Sequence, residues 1–143
     1  MKQPIRLTLF SIEEANRVAQ ELRPELERLT RMKREHDQAE ARVEVLAVVM
    51  SGATPENPDA AELERLTQRR DQLRHEIGLG IESIHKRGCL LKDLDKGLVD
   101  FYALSGDRLI FLCWQMNEPE VTFWHSLEGG FTGRQPLHKT ELD

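Results

Sequence analysis

From Ala15 to Met50 the chain carries an apolar or small residue every three or four positions: Ala15, Val18, Leu22, Leu26, Leu29, Met32, Ala39, Val43, Leu46 and Met50, with His36 on the same stripe. That spacing keeps one face of a 3.6-residue helix apolar and predicts a long amphipathic helix. Ser11 with Glu14 three residues later forms a capping box that starts it. Pro24 has no N–H for the preceding turn, so a kink or short break is expected around Leu22 and Arg23. The run Ser51–Pro58, SGATPENP, is a connection. Asn57 as cap and Pro58 at the first position, with Asp59 and Glu62 as the competing cap, then begin a second stripe through Leu63, Leu66, Arg70, Leu73, Ile77, Ile81 and Ile84, which Gly88 ends. Two amphipathic helices on a short loop pack antiparallel. Gly78 and Gly80 weaken the second helix by about 1 kcal/mol each relative to alanine, so a close approach of another backbone is expected there.

After Gly88 the period falls from 3.6 to 2. Leu98–Leu104 alternates, Ser105–Asp107 turns, Arg108–Gln115 (RLIFLCWQ) reads as an apolar strand, and Val121–His125 follows the turn around Asn117 and Pro119. Cys89–Lys92 adds a short edge strand, joined through the turn Asp93–Gly97. The fold class is therefore α+β: an antiparallel helical hairpin with a kinked first helix, packed with a small antiparallel meander of three or four strands. The whole chain, 1–143, reads as a single domain, with the hairpin over 11–87, the β-region over 88–137 and a tail over 138–143. Leu109–Trp114 is apolar on both faces, and the chain's own helices cover only one. Self-association as a homodimer is the expected way to bury the other.

Composition sharpens where specificity lies. Both tryptophans, the tyrosine, both cysteines and every phenylalanine except Phe10 follow Gly88. The net charge of -5 argues against a protein that holds nucleic acid by bulk electrostatics. Two basic clusters, Arg28/Arg31/Lys33/Arg34 and Arg65/Arg69/Arg70/Arg74, are interleaved with acids at helical spacing, as on a solvated, ion-paired face. An RNA- or ribosome-associated role is the third-ranked reading. With no long apolar run and no leader pattern in MKQPIRLTLFSIEEA, the expectation is a cytoplasmic protein without a membrane segment. Cys89 and Cys113 lack CxxC spacing and read as buried thiols.

No complete catalytic or cofactor motif is present, and the terminal glycine-rich stretch GGFTGRQP is not followed by the GKS/T of a phosphate loop. Polar residues of the β-region are Asp93, Asp95, Asp100, Glu118, Glu120, His125, Glu128 and Arg134. Asp93 and Asp95 read most simply as turn residues, and Glu118 and Glu120 around Pro119 most simply as an exposed turn. Asp100, Glu118 and His125 form a candidate divalent-metal set, since carboxylates with one imidazole suit Zn, Mn or Fe. Trp114, Trp124 and Arg134 are candidate ligand-binding residues: an aromatic beside an imidazole shapes a pocket, and a guanidinium fork suits a carboxylate or phosphate.

The strings FSIEEAN, ELRPELERL, KDLDKGLVDF, LCWQMNEPEVTFWH and GFTGRQPL, in this order, resemble a family of small bacterial proteins, domain-of-unknown-function family 2203. The resemblance spans nearly the whole chain. It implies a bacterial cytosolic protein and marks Asp95, Gly97, Asp100, Trp114, Glu118, Pro119, Trp124, His125, Gly133 and Arg134 as motif positions, without assigning them roles. The sequence thus favours a homo-oligomeric binding or assembly protein without catalytic activity, with a protein partner as a further expectation. A small metal-binding protein or metal-dependent enzyme is the alternative.

Overall fold

The computed structural model describes residues 7–51 and 56–138. Part of the Ser51–Pro58 connection and most of the tail lie outside the described residues. Two helices pack against each other and precede a five-stranded antiparallel sheet, an α+β fold. Helix α1 spans Ile12–Val49 and α2 spans Pro58–Lys86. Their starts follow the capping logic: the Glu14 N–H donates to Ser11 Oγ at 3.1 Å, and the Asp59 N–H to Asn57 Oδ1 at 2.9 Å. At the far end of α2, Gly88 takes φ of 92°, where a Cβ would also strike the Thr8 side chain. Of the kink or short break expected at Pro24, the break is absent: α1 runs through the proline as one helix. A missing helical bond costs about 3 kcal/mol, which the complete burial of Leu26 and Leu29 and near-complete burial of Leu22 offset.

The chain divides into two compact units. One, Arg28–Gly80, is the distal part of the helical hairpin. Leu29, Ala39, Val43, Leu46 and Leu73 are its buried apolar residues. Across the seam Arg42 pairs with Glu62, Arg69 with Glu35, and Arg70 and Arg74 with Glu40, an order of partners that reports the antiparallel register. The second basic cluster is thus largely matched by carboxylates of the facing helix. The hydrogen bond from Arg69 lowers the Glu35 carboxyl below its ordinary range. Gly78 contradicts its expectation: a Cβ there meets nothing within 4 Å. Gly78→Ala should therefore raise stability by roughly 0.5–1 kcal/mol through helix propensity alone. Chemical denaturation showing no gain would mean that the glycine is needed for something beyond backbone geometry.

The other unit, Met1–Glu27 with Ile81–Asp143, contains the sheet. Strands β1 (Leu90–Asp93), β2 (Leu98–Ser105), β3 (Arg108–Gln115), β4 (Phe123–Ser126) and β5 (Gln135–Pro136) lie side by side in chain order, so the sheet is a simple meander. The fifth strand was not expected; a two-residue pairing that contains proline leaves no alternation to read. Cross-strand partners share a face. Val99, Phe101, Leu112 and Trp114 form the helix face, where the Phe10 ring meets Phe101 edge-on at 5.1 Å and the Arg23 guanidinium lies 5.2 Å over Trp114. Asp100, Tyr102, Phe111, Cys113, Phe123 and His125 form the far face.

The far face is covered unevenly by the chain itself. Cys113 and Phe111 are buried, Lys92 lies over the Phe111 ring, and Arg134 lies over Phe123. The premise that a partner must cover all of that face therefore does not hold. Toward the β2–β3 turn the cover ends and Leu104 is 45% exposed. Among the described residues no helix is long and apolar enough to cross a membrane.

Candidate functional site

The β3–β4 turn is fixed from α1. Asn16 Oδ1 accepts the Val121 N–H at 2.6 Å, Gln20 Nε2 donates to Pro119 O at 2.8 Å, and Arg23 donates to Met116 O and, at 3.0 Å, to Glu118 O. Trp114 Nε1–H adds a second bond to Glu118 O at 3.0 Å. Five side-chain contacts therefore hold a turn that reads as exposed in the sequence. Its purpose in the fold is to present the Glu118 carboxylate inward, where it accepts from the Gln115 N–H at 2.7 Å and from Arg134 Nη2 at 2.6 and 2.8 Å.

Arg134 is oriented by this pair and by two rings, with its guanidinium 4.0 Å from the Phe123 centroid and 4.8 Å from that of Phe131. Stacking on aromatic faces and pairing with one carboxylate uses the guanidinium within the chain. The glycines around Phe131 allow this return: Gly130 takes φ of 61° ahead of the 3-10 turn Phe131–Gly133, after which β5 pairs with β4.

A second polar centre lies on the far face and is more deeply buried. Asp100 is 2% exposed and His125 2%. Asp100 and Cys113 are direct register partners on β2 and β3, and His125 comes in from β4 opposite Phe111. His125 Nε2 stands 3.1 Å from each Asp100 oxygen, and Nδ1 stands 2.7 Å from the carbonyl oxygen of Ser126. A carbonyl only accepts, so Nδ1 carries a proton. A proton also lies between Nε2 and the carboxylate, because two lone pairs facing each other in the interior would be strongly repulsive. The Cys113 thiol completes the cluster, all three donor atoms lying within 4.8 Å of one another. Burial pushes that thiol up to about 12, and the charge of Asp100 adds to the shift.

The candidate residues thus resolve into two pairs. Asp100 and His125 come together; Glu118 does not join them and is taken by Arg134. Cys113 lies between the pairs, its thiol in the buried cluster and its carbonyl 3.5 Å from Arg134 Nη2. Sequence reasoning passed over Cys113, although its place opposite Asp100 follows from the β2–β3 hairpin register. Trp114 is fully buried on the helix face. Trp124, on the same face as Leu112, is half-buried with Arg108 5.8 Å from its ring. A shallow cavity of about 280 Å³ lined by Arg108, Leu109, Ser126, Leu127 and Glu128 includes none of the six candidates.

These features define a small α+β protein whose polar groups are built into a sheet rather than displayed in a cleft. The chain belongs to the family described as "Uncharacterized conserved protein (DUF2203)", which matches residues 8–137. No curated protein and no solved structure matches it.

Proposed function

We propose that this is a cytoplasmic binding and assembly protein without catalytic activity, acting as a homodimer joined through the open end of the far sheet face. The supporting observation is a contrast between satisfied polar groups and unsatisfied apolar ones. Asp100, His125, Glu118, Arg134 Nη2 and the Trp114 indole all meet partners inside the chain, while Arg134 Nε is buried without one. By contrast, Leu104 is 45% exposed and Leu7 and Leu9 are 44% exposed. The Phe10 N–H donates to Tyr102 O, laying the Leu7–Leu9 stretch beside the strand that carries Leu104. Apolar side chains gathered in water are a usual mark of an association surface. A second copy is the favoured occupant because one such patch meets its twin under a two-fold axis.

Light scattering on size-exclusion fractions at micromolar concentration should give the mass of two chains. Leu104→Lys, a change at an exposed strand end that leaves the core untouched, should give the mass of one. A single-chain mass for the unaltered protein overturns the proposal.

A further inference from the structure

We infer that Asp100, Cys113 and His125 together hold one divalent transition-metal ion, Zn²⁺ by preference, as a structural tie across β2, β3 and β4. This goes beyond the assembly reading and is independent of it. It also revises the metal set drawn from the sequence by replacing Glu118 with Cys113.

The donor set comes first. One thiolate, one imidazole and one carboxylate suit a borderline-soft ion such as Zn²⁺ or Co²⁺, whereas Mg²⁺ and Ca²⁺ take oxygen almost exclusively. Spacing agrees. Nitrogen and oxygen ligands about 2.0–2.1 Å from a tetrahedral ion stand roughly 3.3–3.4 Å from each other. Here Nε2 is 3.1 Å from both carboxylate oxygens, and the sulfur lies within 4.8 Å of the other donor atoms, a bound wider than the roughly 3.5 Å that a tetrahedral ion sets, so loading draws the three side chains together.

Orientation gives an independent argument. A metal-bound histidine characteristically donates its other ring N–H to a carbonyl or carboxylate, which fixes the tautomer and aims the free lone pair. His125 has that arrangement: the Nδ1–H is held by Ser126 O at 2.7 Å, and Nε2 faces the carboxylate across a proton that an entering metal ion displaces. The Asp100 carboxylate faces Nε2 symmetrically through both oxygens, where a single hydrogen bond is best aimed at one lone pair.

Charge closes the case. Binding releases the proton between Nε2 and Asp100 and the Cys113 thiol proton as the dication enters, so the site is neutral before and after loading and no net charge is placed in an interior that penalises it. Because the side chains of Asp100 and His125 are each 3% exposed and Cys113 is fully buried, no face of the ion is open to a substrate. Catalytic zinc keeps an open position and structural zinc takes four donor atoms; the fourth here is the second Asp100 oxygen, which stands as close to Nε2 as the first.

The test uses the full chain purified without an affinity tag. Elemental analysis should find one zinc per chain, and removal by a strong chelator should lower the melting temperature. Replacement by Co²⁺ should produce the near-ultraviolet absorption of a sulfur–cobalt bond together with the visible bands of a tetrahedral site. That absorption should persist in Cys89→Ser and vanish in Cys113→Ser, and His125→Gln should reduce bound metal to background. If Cys113→Ser does not fold, the Cys89→Ser spectrum decides alone, because the chain has only these two cysteines. Absence of bound metal and of any cobalt spectrum in the unaltered protein overturns the inference and leaves the cluster a buried ion pair. So does cobalt absorption that disappears in Cys89→Ser.

Discussion

Asp100→Ala should destabilise the metal-free protein by about 3–5 kcal/mol, the usual cost of removing one member of a buried charged pair. Total stability of a domain this size is about 5–15 kcal/mol, so the variant should melt far earlier or fail to accumulate. The loss follows from what remains. His125 stays buried with its Nε2 facing a space that the carboxylate filled, and the Cys113 thiol loses the acceptor beside it. Each orphaned polar group adds a desolvation penalty that a deleted pair would not. Accordingly Asp100→Leu combined with His125→Leu should recover a large part of the loss, since replacing both partners with apolar groups is often close to neutral. Urea denaturation followed by circular dichroism reads both. A loss under about 1 kcal/mol for Asp100→Ala would mean that the pair is solvated, contrary to its burial here.

Trp114→Ala should cost a comparable amount, about 3–5 kcal/mol, the range for removing a large aromatic from a core. Trp114 is the largest fully buried side chain, and two further elements depend on it. Its indole N–H helps to hold Glu118 O, and its ring lies under the Arg23 guanidinium that binds the same turn. Trp114→Phe separates these contributions. It retains most of the apolar volume while losing the indole hydrogen bond, itself worth about 0.5–1.5 kcal/mol, and should be distinctly milder than Trp114→Ala. Equal losses in the two variants would place the energy in the turn rather than in the cavity.

Several parts of this molecule are legible in the residues. The α1 stripe from Ala15 to Leu46 is read from spacing because burial in a helix repeats with a fixed angle. The Asn57–Pro58 start, the Gly88 stop and the two-residue alternation of β2 and β3 rest on equally local rules, since each concerns bonds within a few residues. Other features lack a local signal. Pro24 kinks or breaks a helix by local rules, yet α1 continues through it because the leucines on either side are buried by residues distant in sequence. Glu118 reads as an exposed turn residue; its inward aim is set by Asn16, Gln20 and Arg23, about a hundred positions upstream. The strings that carry the family resemblance are therefore in part the two sides of one interface.

By itself, then, the sequence determined the helix and strand periods, the ends of the helices, the α+β class and the family, together with the small set of residues able to do chemistry. Those properties depend on neighbours one to four positions away. Only the tertiary structure decided how those residues divide: Asp100 with His125 and Cys113, and Glu118 with Arg134. It also showed that, among the described residues, the far sheet face is closed by the chain itself around Cys113 and that Leu104 of β2 is exposed on it. Pairing across strands and the cover of a sheet face depend on register and on the return path of the last residues, and no local period encodes where a chain comes back to meet itself.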